Sequence, residues 1–176
     1  MLDNLRADAR KLKDKGERSL AFYLVDALLF DNGFQAVLMH RMAACCKRWR
    51  IPVLPAWIAR YNIFSTGVDI NPSARIGPGL RISHGVGIVV GGAAVIGAEA
   101  ILLHQVTIGS ISQSRVADMP IVGDRVFLSA GCKLIGKITI GDDVAIGPNA
   151  VVTQDVPSGS RVRTTAGIEI VPRSGS

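Results

Sequence analysis

The chain has 176 residues, enough for one domain or for a domain with a small helical addition. Its formal net charge is +6, but the basic residues concentrate in the N-terminal third and are not interleaved with aromatic ones, which argues against nucleic-acid binding. The three cysteines, Cys45, Cys46 and Cys132, do not make a disulfide framework, and no cysteine–histidine cluster has the spacing of a zinc site. We therefore expect a reduced, cytoplasmic protein without a bound metal.

Residues 1–65 are predicted to form a helical N-terminal cap. The charged segment 1–18 predicts a peripheral helix, and because the first apolar run begins only after it, no signal peptide is expected. The apolar run Leu20–Phe30 predicts a second helix, which contains Asp26 and is too short to span a bilayer.

The rest of the cap is predicted to hold one more helix. Asn32-Gly33 predicts a turn, and the apolar spacing of residues 34–49 predicts a third helix. Pro52 and Pro55 are expected to end it, leaving residues 57–64 as a short connector. Four basic residues lie near apolar ones in this region: Lys47, Arg48, Arg50 and Arg60. Contact with the inner face of an anionic membrane is one interpretation, and a solvated face of packed helices is the favoured one.

An aliphatic residue recurs at every sixth position through most of the remaining chain. The series is Ile70, Ile76, Ile82, Ile88, Ile96, Leu102, Ile108, Val122, Leu128, Leu134, Ile140, Ile146 and Val152. It slips by two residues after Ile88 and is interrupted at 109–120. Neither a helix, of period 3.6, nor a half-buried strand, of period 2, produces this spacing. It predicts a mainly β fold, a parallel β-helix of three-sided coils over residues 66–160.

Two segments fall outside the period. The polar interruption at 109–120 predicts a loop extruded from a corner of the coil, and loops on a rigid scaffold often carry function. Residues 161–176 are predicted to be a C-terminal extension, with a last strand pair over 160–171.

Three histidines are candidates for chemistry. His40 lies in the third predicted helix, where a structural role is expected. His84 is followed by Gly85 and Gly87, which allow a ligand or another backbone segment to approach closely. His104 precedes the extruded loop. Spacing alone leaves open whether either of the last two is only a surface residue.

The segment from residue 68 to 91 resembles the active-site segment of serine O-acetyltransferases, which are hexapeptide-repeat acyltransferases. The resemblance rests on Val68-Asp69-Ile70-Asn71-Pro72 and Ile82-Ser83-His84-Gly85, and it continues through Val106-Thr107-Ile108-Gly109 and Ala130-Gly131-Cys132-Lys133. It implies a left-handed parallel β-helix. It also implies a homotrimer, or a dimer of trimers, in which acetyl-CoA and the acceptor meet between neighbouring prisms.

The resemblance implies that His84 is the general base and that Asp69 orients it. A hydroxyl is a weak nucleophile at neutral pH, and a neutral imidazole is suited to accept its proton, while a carboxylate on the other ring nitrogen fixes the tautomer. For acetyl-CoA the resemblance implies a groove between coils. Its lining would be Gly109, Ala130, Gly131 and Lys133. The net positive charge of the chain would attract this anionic cofactor.

The chain departs from the family at the residues that hold serine. Ser83 stands where the family has an aspartate, and Asp118-Met119 stands where it has an arginine–histidine pair that grips the amino acid. An aspartate there would repel a carboxylate. The family's C-terminal peptide, which docks into cysteine synthase, is not found, so this docking is not expected.

These departures favour an acetyl-CoA-dependent O-acetyltransferase that acts on a sugar of a surface polysaccharide or its precursor. His104 points the same way, because a histidine shortly before Val-Thr-Ile-Gly resembles related sugar acetyltransferases. Serine O-acetylation with a rewired clamp, through His104 or Arg115, is the first alternative, and a non-catalytic β-helix scaffold is the second. The candidate acceptor-binding residues are Ser83, His104, Arg115 and Asp118.

Overall fold

The computed structural model describes residues 2–13, 20–112, 114 and 116–164, and its N-terminal part is helical. The helices are α1 (Leu2–Lys13), α2 (Leu20–Phe30), α3 (Asn32–Arg48) and α4 (Leu54–Thr66). None of these described helices is long and apolar enough to cross a membrane.

Helix α3 begins earlier than predicted. Asp31 is its N-cap, and the Asp31 side chain accepts a hydrogen bond of 3.0 Å from the backbone N–H of Phe34. This bond satisfies one of the otherwise unpaired N–H groups of the first helical turn. The turn predicted at Asn32-Gly33 is therefore wrong, because the aspartate before it starts a helix there.

Residues 57–64 are not a connector but belong to α4. Pro55 lies in the first turn of α4, where its missing N–H costs no hydrogen bond, so it starts this helix rather than only ending α3. Gly67 ends α4 in the left-handed conformation, with φ of 73°, and its N–H donates to the carbonyl of Ile63 at 2.9 Å.

The remaining described residues form short strands on the three sides of a prism. The strands are β1 (Asp69–Ile70), β2 (Arg75–Ile76), β3 (Arg81–Ile82), β4 (Val89–Val90), β5 (Val95–Ile96), β6 (Ile101–Leu102), β7 (Thr107–Gly109), β8 (Ile121–Val122), β9 (Phe127–Leu128), β10 (Lys133–Ile135), β11 (Thr139–Ile140), β12 (Ala145–Ile146), β13 (Val151–Val152) and β14 (Arg161–Val162). Every third strand pairs in parallel as far as β13, and β14 pairs with β12. The orders are β1-β4-β7-β10-β13 (sheet A), β2-β5-β8-β11 (sheet B) and β3-β6-β9-β12-β14 (sheet C). This is the predicted parallel β-helix.

Each hexapeptide buries two positions in the prism. One is the aliphatic residue of the strand, which stacks on the same position of the next coil, as Ile96 does on Val122. The other lies two residues earlier, at the corner, and is often small; Ala94, Ala100 and Cys132 are examples, all at most 1% exposed. Side chains between these positions point outward, which leaves the outer face free to vary.

A buried ion pair fastens the helices to the first coil. The Arg41 guanidinium of α3 donates to the Asp8 carboxylate of α1 at 3.1 and 3.2 Å, and to the backbone carbonyls of Ile76 and Gly77 at 2.5 and 2.6 Å. Asp8 Oδ1 also accepts from the backbone N–H of Gly79 at 2.8 Å. Helix α1, predicted to be peripheral, is thus tied to the prism.

We expect Asp8→Ala to lower the free energy of unfolding by about 3–5 kcal/mol, because it leaves the Arg41 charge buried without a counter-charge. Asp3→Ala is the matched control, since Asp3 is 93% exposed and lies 3.7 Å from Arg6 in an exposed ion pair. That change should cost less than about 1 kcal/mol. Urea unfolding of both variants measures the difference, and equal losses would contradict the role given to Asp8.

Candidate active site

The corner between β3 and β4 carries His84 and is longer than the other corners. Val90, not Ile88, is the strand residue in phase with the series, because Val90 pairs with both Ile70 and Ile108. Ile82 and Val90 are eight positions apart instead of six, so the two extra residues lie within this corner. The two-residue break in the period, predicted after Ile88, is therefore misplaced and lies before Val90. Ile88 seemed to continue the series because it is an aliphatic residue buried at the corner position.

The extra residues present His84 to solvent. His84 is exposed and has a φ of 57°, in the left-handed region that non-glycine residues seldom adopt. Gln105 and Asn149 also have positive φ, but they occupy the regular left-handed position of their corners. In the first coil Gly87 fills that position, three residues after His84. A left-handed residue outside the regular corner positions indicates a local constraint of the kind found at functional sites.

One edge of the prism, from sheet C to sheet A, gathers most of the predicted site. We call the corners 83–88, 103–106, 129–132 and 147–150 the histidine edge. Backbone hydrogen bonds stack them: the N–H of Gln105 donates to Val86 O at 3.0 Å, that of Gly131 to His104 O at 2.9 Å and that of Asn149 to Ala130 O at 2.9 Å. His84, His104 and the Ala130-Gly131 pair therefore lie on successive coils of one edge.

Asp69 lies beside this edge. It is the first residue of β1, pairs with Val89, and donates its backbone N–H to Ile88 O at 2.9 Å, so it adjoins the end of the His84 corner. Its side chain is exposed on the outer face of sheet A. Within the described part of the chain no hydrogen bond joins Asp69 to His84. The assigned pairing of these two side chains stays a prediction.

The residues predicted to bind the cofactor are divided between two edges. Lys133 follows Gly131 on the histidine edge, and its Nζ donates to Gly131 O at 2.9 Å. Gly131 has a φ of 71°, in the left-handed region, and occupies the regular corner position that Gln105 and Asn149 fill in neighbouring coils. Gly109 ends β7 on the opposite side of sheet A. Its carbonyl accepts from the backbone N–H of Gly136 at 2.9 Å.

The extruded loop also leaves from the opposite edge. It spans residues 110–120, between β7 and β8, and is held at its end by Met119, whose sulfur accepts from the backbone N–H of Ala93 at 3.3 Å. Asp118 is half-buried beside it. Arg115 lies outside the described residues. Within one chain, Asp118 and His84 are therefore on different edges of the prism.

Helices α2 and α3 complete a cavity over the His84 corner. Gly33 makes the contact possible, because a Cβ on it would lie 2.1 Å from the carbonyl oxygen of Ile82. The cavity has a volume of about 310 Å³. It is lined by Asp26, Phe30, Asp31, Asn32, Arg81, Ile82, Ser83 and His84. Sequence reasoning missed Asp26 and Asp31 as site residues, because only the docking of the helices brings them to His84. It also missed Arg81, which lies on β3 three residues before His84.

Other reactive groups lie outside this site. His40 is 2% exposed, and burial, followed by the nearby Arg41 charge, lowers its pKa to about 4, so it is neutral and structural as expected. It lines a separate cavity of about 390 Å³ with Cys45, Arg48 and Trp49. Burial raises the pKa of the Cys132 thiol to about 11, which keeps it from acting as a thiolate. The described residues contain no metal-binding cluster of histidine, cysteine or carboxylate side chains.

The coil and its sequence match a known class of enzymes. Residues 119–154 match the family described as bacterial transferase hexapeptide (six repeats). Soybean serine acetyltransferase superposes on the chain with a TM-score of 0.83 at 33% identity, covering 93% of this chain and 66% of the soybean one. The chain thus resembles the hexapeptide-repeat acyltransferases, as predicted, and its predicted fold, a left-handed parallel β-helix after a small helical region, is confirmed.

Relatives in sequence narrow the class. A serine acetyltransferase of Helicobacter pylori is 39% identical over 135 residues, which are 77% of this chain and 79% of that protein. Another, of Synechococcus elongatus, is 37% identical over 151 residues, and the chain covers only 62% of its length. The chain belongs to the serine acetyltransferase family.

The buried His40 predicts a pH-dependent loss of stability. In the unfolded chain its pKa is about 6.5, and in the folded chain it is about 4, so between these values the unfolded imidazole is protonated while the folded one is not. Lowering the pH from 7 to 4 should therefore cost about 3 kcal/mol through this residue. The measurement is the unfolding free energy against pH for the wild type and His40→Gln, which lacks this contribution. Parallel profiles would contradict the assignment.

Proposed function

We propose that the chain transfers the acetyl group of acetyl-CoA to the hydroxyl of L-serine. The observation that carries this is the exposed His84 on an enlarged corner, beside Asp69, in a chain 39% identical to a named serine acetyltransferase. The sugar acceptor favoured by the sequence has less support, since the relatives compared above are named for serine and the cavity over His84 is small.

In the proposed reaction His84 acts as the general base. As the serine oxygen bonds to the thioester carbonyl carbon, the imidazole takes the hydroxyl proton. Collapse of the tetrahedral intermediate breaks the carbon–sulfur bond, and the imidazolium returns the proton to the leaving thiolate. The products are O-acetylserine and free coenzyme A. Asp69 would orient His84 and stabilise the imidazolium.

The cofactor would lie along the histidine edge. Ala130, Gly131 and Lys133 are one coil from His104 and two coils from His84, and Lys133 is exposed beside them. Gly109 and Asp118, on the opposite edge of the same prism, would reach a histidine edge only on a neighbouring copy. A homotrimer with sites between prisms therefore remains part of the proposal. The absence of cysteine synthase docking, the cytoplasmic location and the membrane contact stay predictions.

A second acceptor class is kept because of three residues. Ser83, Asp118 and Met119 replace the residues with which the resemblance implies that serine is held. Met119 is packed on the corner of Gly91 and Ala93, so it is a structural residue in this chain. A sugar hydroxyl is the second candidate acceptor.

We expect His84→Asn to lower kcat by about 100- to 10,000-fold, because the side chain no longer accepts a proton at neutral pH. Asparagine tolerates positive φ, so the corner should keep its backbone conformation, which an alanine substitution would strain. The assay follows release of the free thiol from acetyl-CoA. Glu99→Asn, at a left-handed corner position between β5 and β6 on another edge of the prism, is the control and should retain wild-type turnover. A His84→Asn enzyme with turnover within about threefold of wild type would remove His84 from the mechanism.

An acceptor panel tests the choice between serine and sugar. With acetyl-CoA held constant, we expect L-serine to give a higher kcat/KM than nucleotide sugars or oligosaccharides, because the cavity is near the lower end of the roughly 300–1,000 Å³ range of small-molecule sites. A preference for a nucleotide sugar would reverse the choice. Mass spectrometry of the acetylated product identifies the modified hydroxyl.

A further inference from the structure

The cavity over His84 contains opposite charges contributed by different elements. Asp26 comes from α2, Asp31 from the start of α3, and Arg81 from β3. Asp26 and Asp31 lie outside the segment of residues 68–91 that resembles the active site of serine acetyltransferases, whereas Arg81 lies within it, on β3. They are charges that this chain has placed around the predicted base.

Two of these charges are available to a ligand. Among the described residues, neither the carboxylate of Asp26 nor the guanidinium of Arg81 forms a hydrogen bond or an ion pair within the chain. Asp31 differs, because its Oδ1 is engaged as the N-cap of α3. Asp26 is exposed and Arg81 is half-buried, so both reach the cavity without being locked in the core.

We propose that Asp26 and Arg81 form the clamp that holds a zwitterionic acceptor, with Asp26 binding its ammonium group and Arg81 its carboxylate. This inference rests on the proposed function, since it concerns the acceptor of the same reaction. It gives a physical replacement for the clamp that Ser83, Asp118 and Met119 no longer provide. The acceptor class is a small hydroxy amino acid.

Charge and size both favour this occupant over a sugar. A guanidinium binds a carboxylate through two parallel N–H···O bonds, and a carboxylate binds an ammonium through charge-assisted hydrogen bonds. A neutral sugar would leave Arg81 without an anionic partner. The volume of about 310 Å³ holds a small molecule beside His84 rather than a polysaccharide chain.

The test removes one charge from the enzyme and the matching charge from the acceptor. For L-serine, Asp26→Asn and Arg81→Gln should each raise KM by about 10- to 100-fold with kcat within threefold, because they remove binding that is equal in the ground and transition states. Ethanolamine lacks the carboxylate, so Arg81→Gln should not change its kcat/KM. For 3-hydroxypropionate, which lacks the ammonium, Asp26→Asn should not lower kcat/KM.

Two control variants match these changes away from the cavity. Arg75→Gln alters the first residue of β2, the equivalent position of the preceding strand, and Asp3→Asn removes an exposed carboxylate of α1. Both should keep the wild-type KM for L-serine. Circular dichroism and urea unfolding check that all four variants are folded, which we expect because none of the substituted side chains is buried.

The outcomes separate the clamp from the proposed function. If the wild type acetylates L-serine and both cavity variants keep its KM, the clamp is wrong and the serine acetyltransferase proposal stands. If another hydroxy amino acid, such as L-homoserine, is preferred and both variants raise its KM, the clamp is supported and L-serine is the wrong acceptor. If only neutral glycans are acetylated, both proposals are wrong.

Discussion

The stacking of one buried aliphatic residue on the next is the constraint on which the prism depends. Each coil places Ile, Val or Leu at the same three interior positions, and parallel strand pairing holds those positions in register from β1 to β14. A residue out of phase would move an aliphatic side chain from the core to solvent. Interior positions are therefore restricted, and variation is confined to corners and outward side chains. The predicted site is built from those.

The enlarged corner shows how the coil tolerates an interruption. Two added residues between Ile82 and Val90 leave the strands in phase, because Ile88 keeps the corner position buried and the excess is carried outward. His84 is exposed as a result. The Asp8–Arg41 pair then holds the helical layer on the same coil, and Gly33 lets α3 approach the backbone of Ile82. The corner that carries the predicted base and the helices that cover it are thus assembled by separate interactions.

Much of the fold could be predicted because its period is local. The six-residue spacing can be recognised in the sequence without knowledge of how the coils stack. The extruded loop can be recognised because the spacing is interrupted there. The position of the two-residue insertion could not be predicted, because Ile88 is aliphatic and buried and so resembles the strand residue of the series. The helix at residues 54–66 was missed because proline, which lacks a backbone N–H, is found both where a helix ends and in the first turn of the next one.

The candidate site was predictable only in part for a similar reason. All the residues predicted for the site come from motifs that resemble known families. They include His84, Asp69, His104, Ala130, Gly131 and Lys133. Asp26 and Arg81 are 58 and 3 positions from His84, and no periodicity connects them to it. Their meeting depends on how helices dock on the prism, which is decided by long-range contacts. The ion pair of Asp8 and Arg41 was not predicted either, because it too depends on how the helices dock on the prism.

The regular coil also limits how this architecture can change over evolutionary time. Thr107 and Val89 pair across one full coil, and a further coil of the same kind would add 18 residues and one strand spacing, about 4.8 Å, to the length of the prism. Inserting or deleting coils can therefore change the distance between groups on one edge only in whole steps of that size. A longer or shorter ligand would be accommodated by a change in the number of coils. Smaller changes in the distance between binding groups must come from the loops and helices outside the prism.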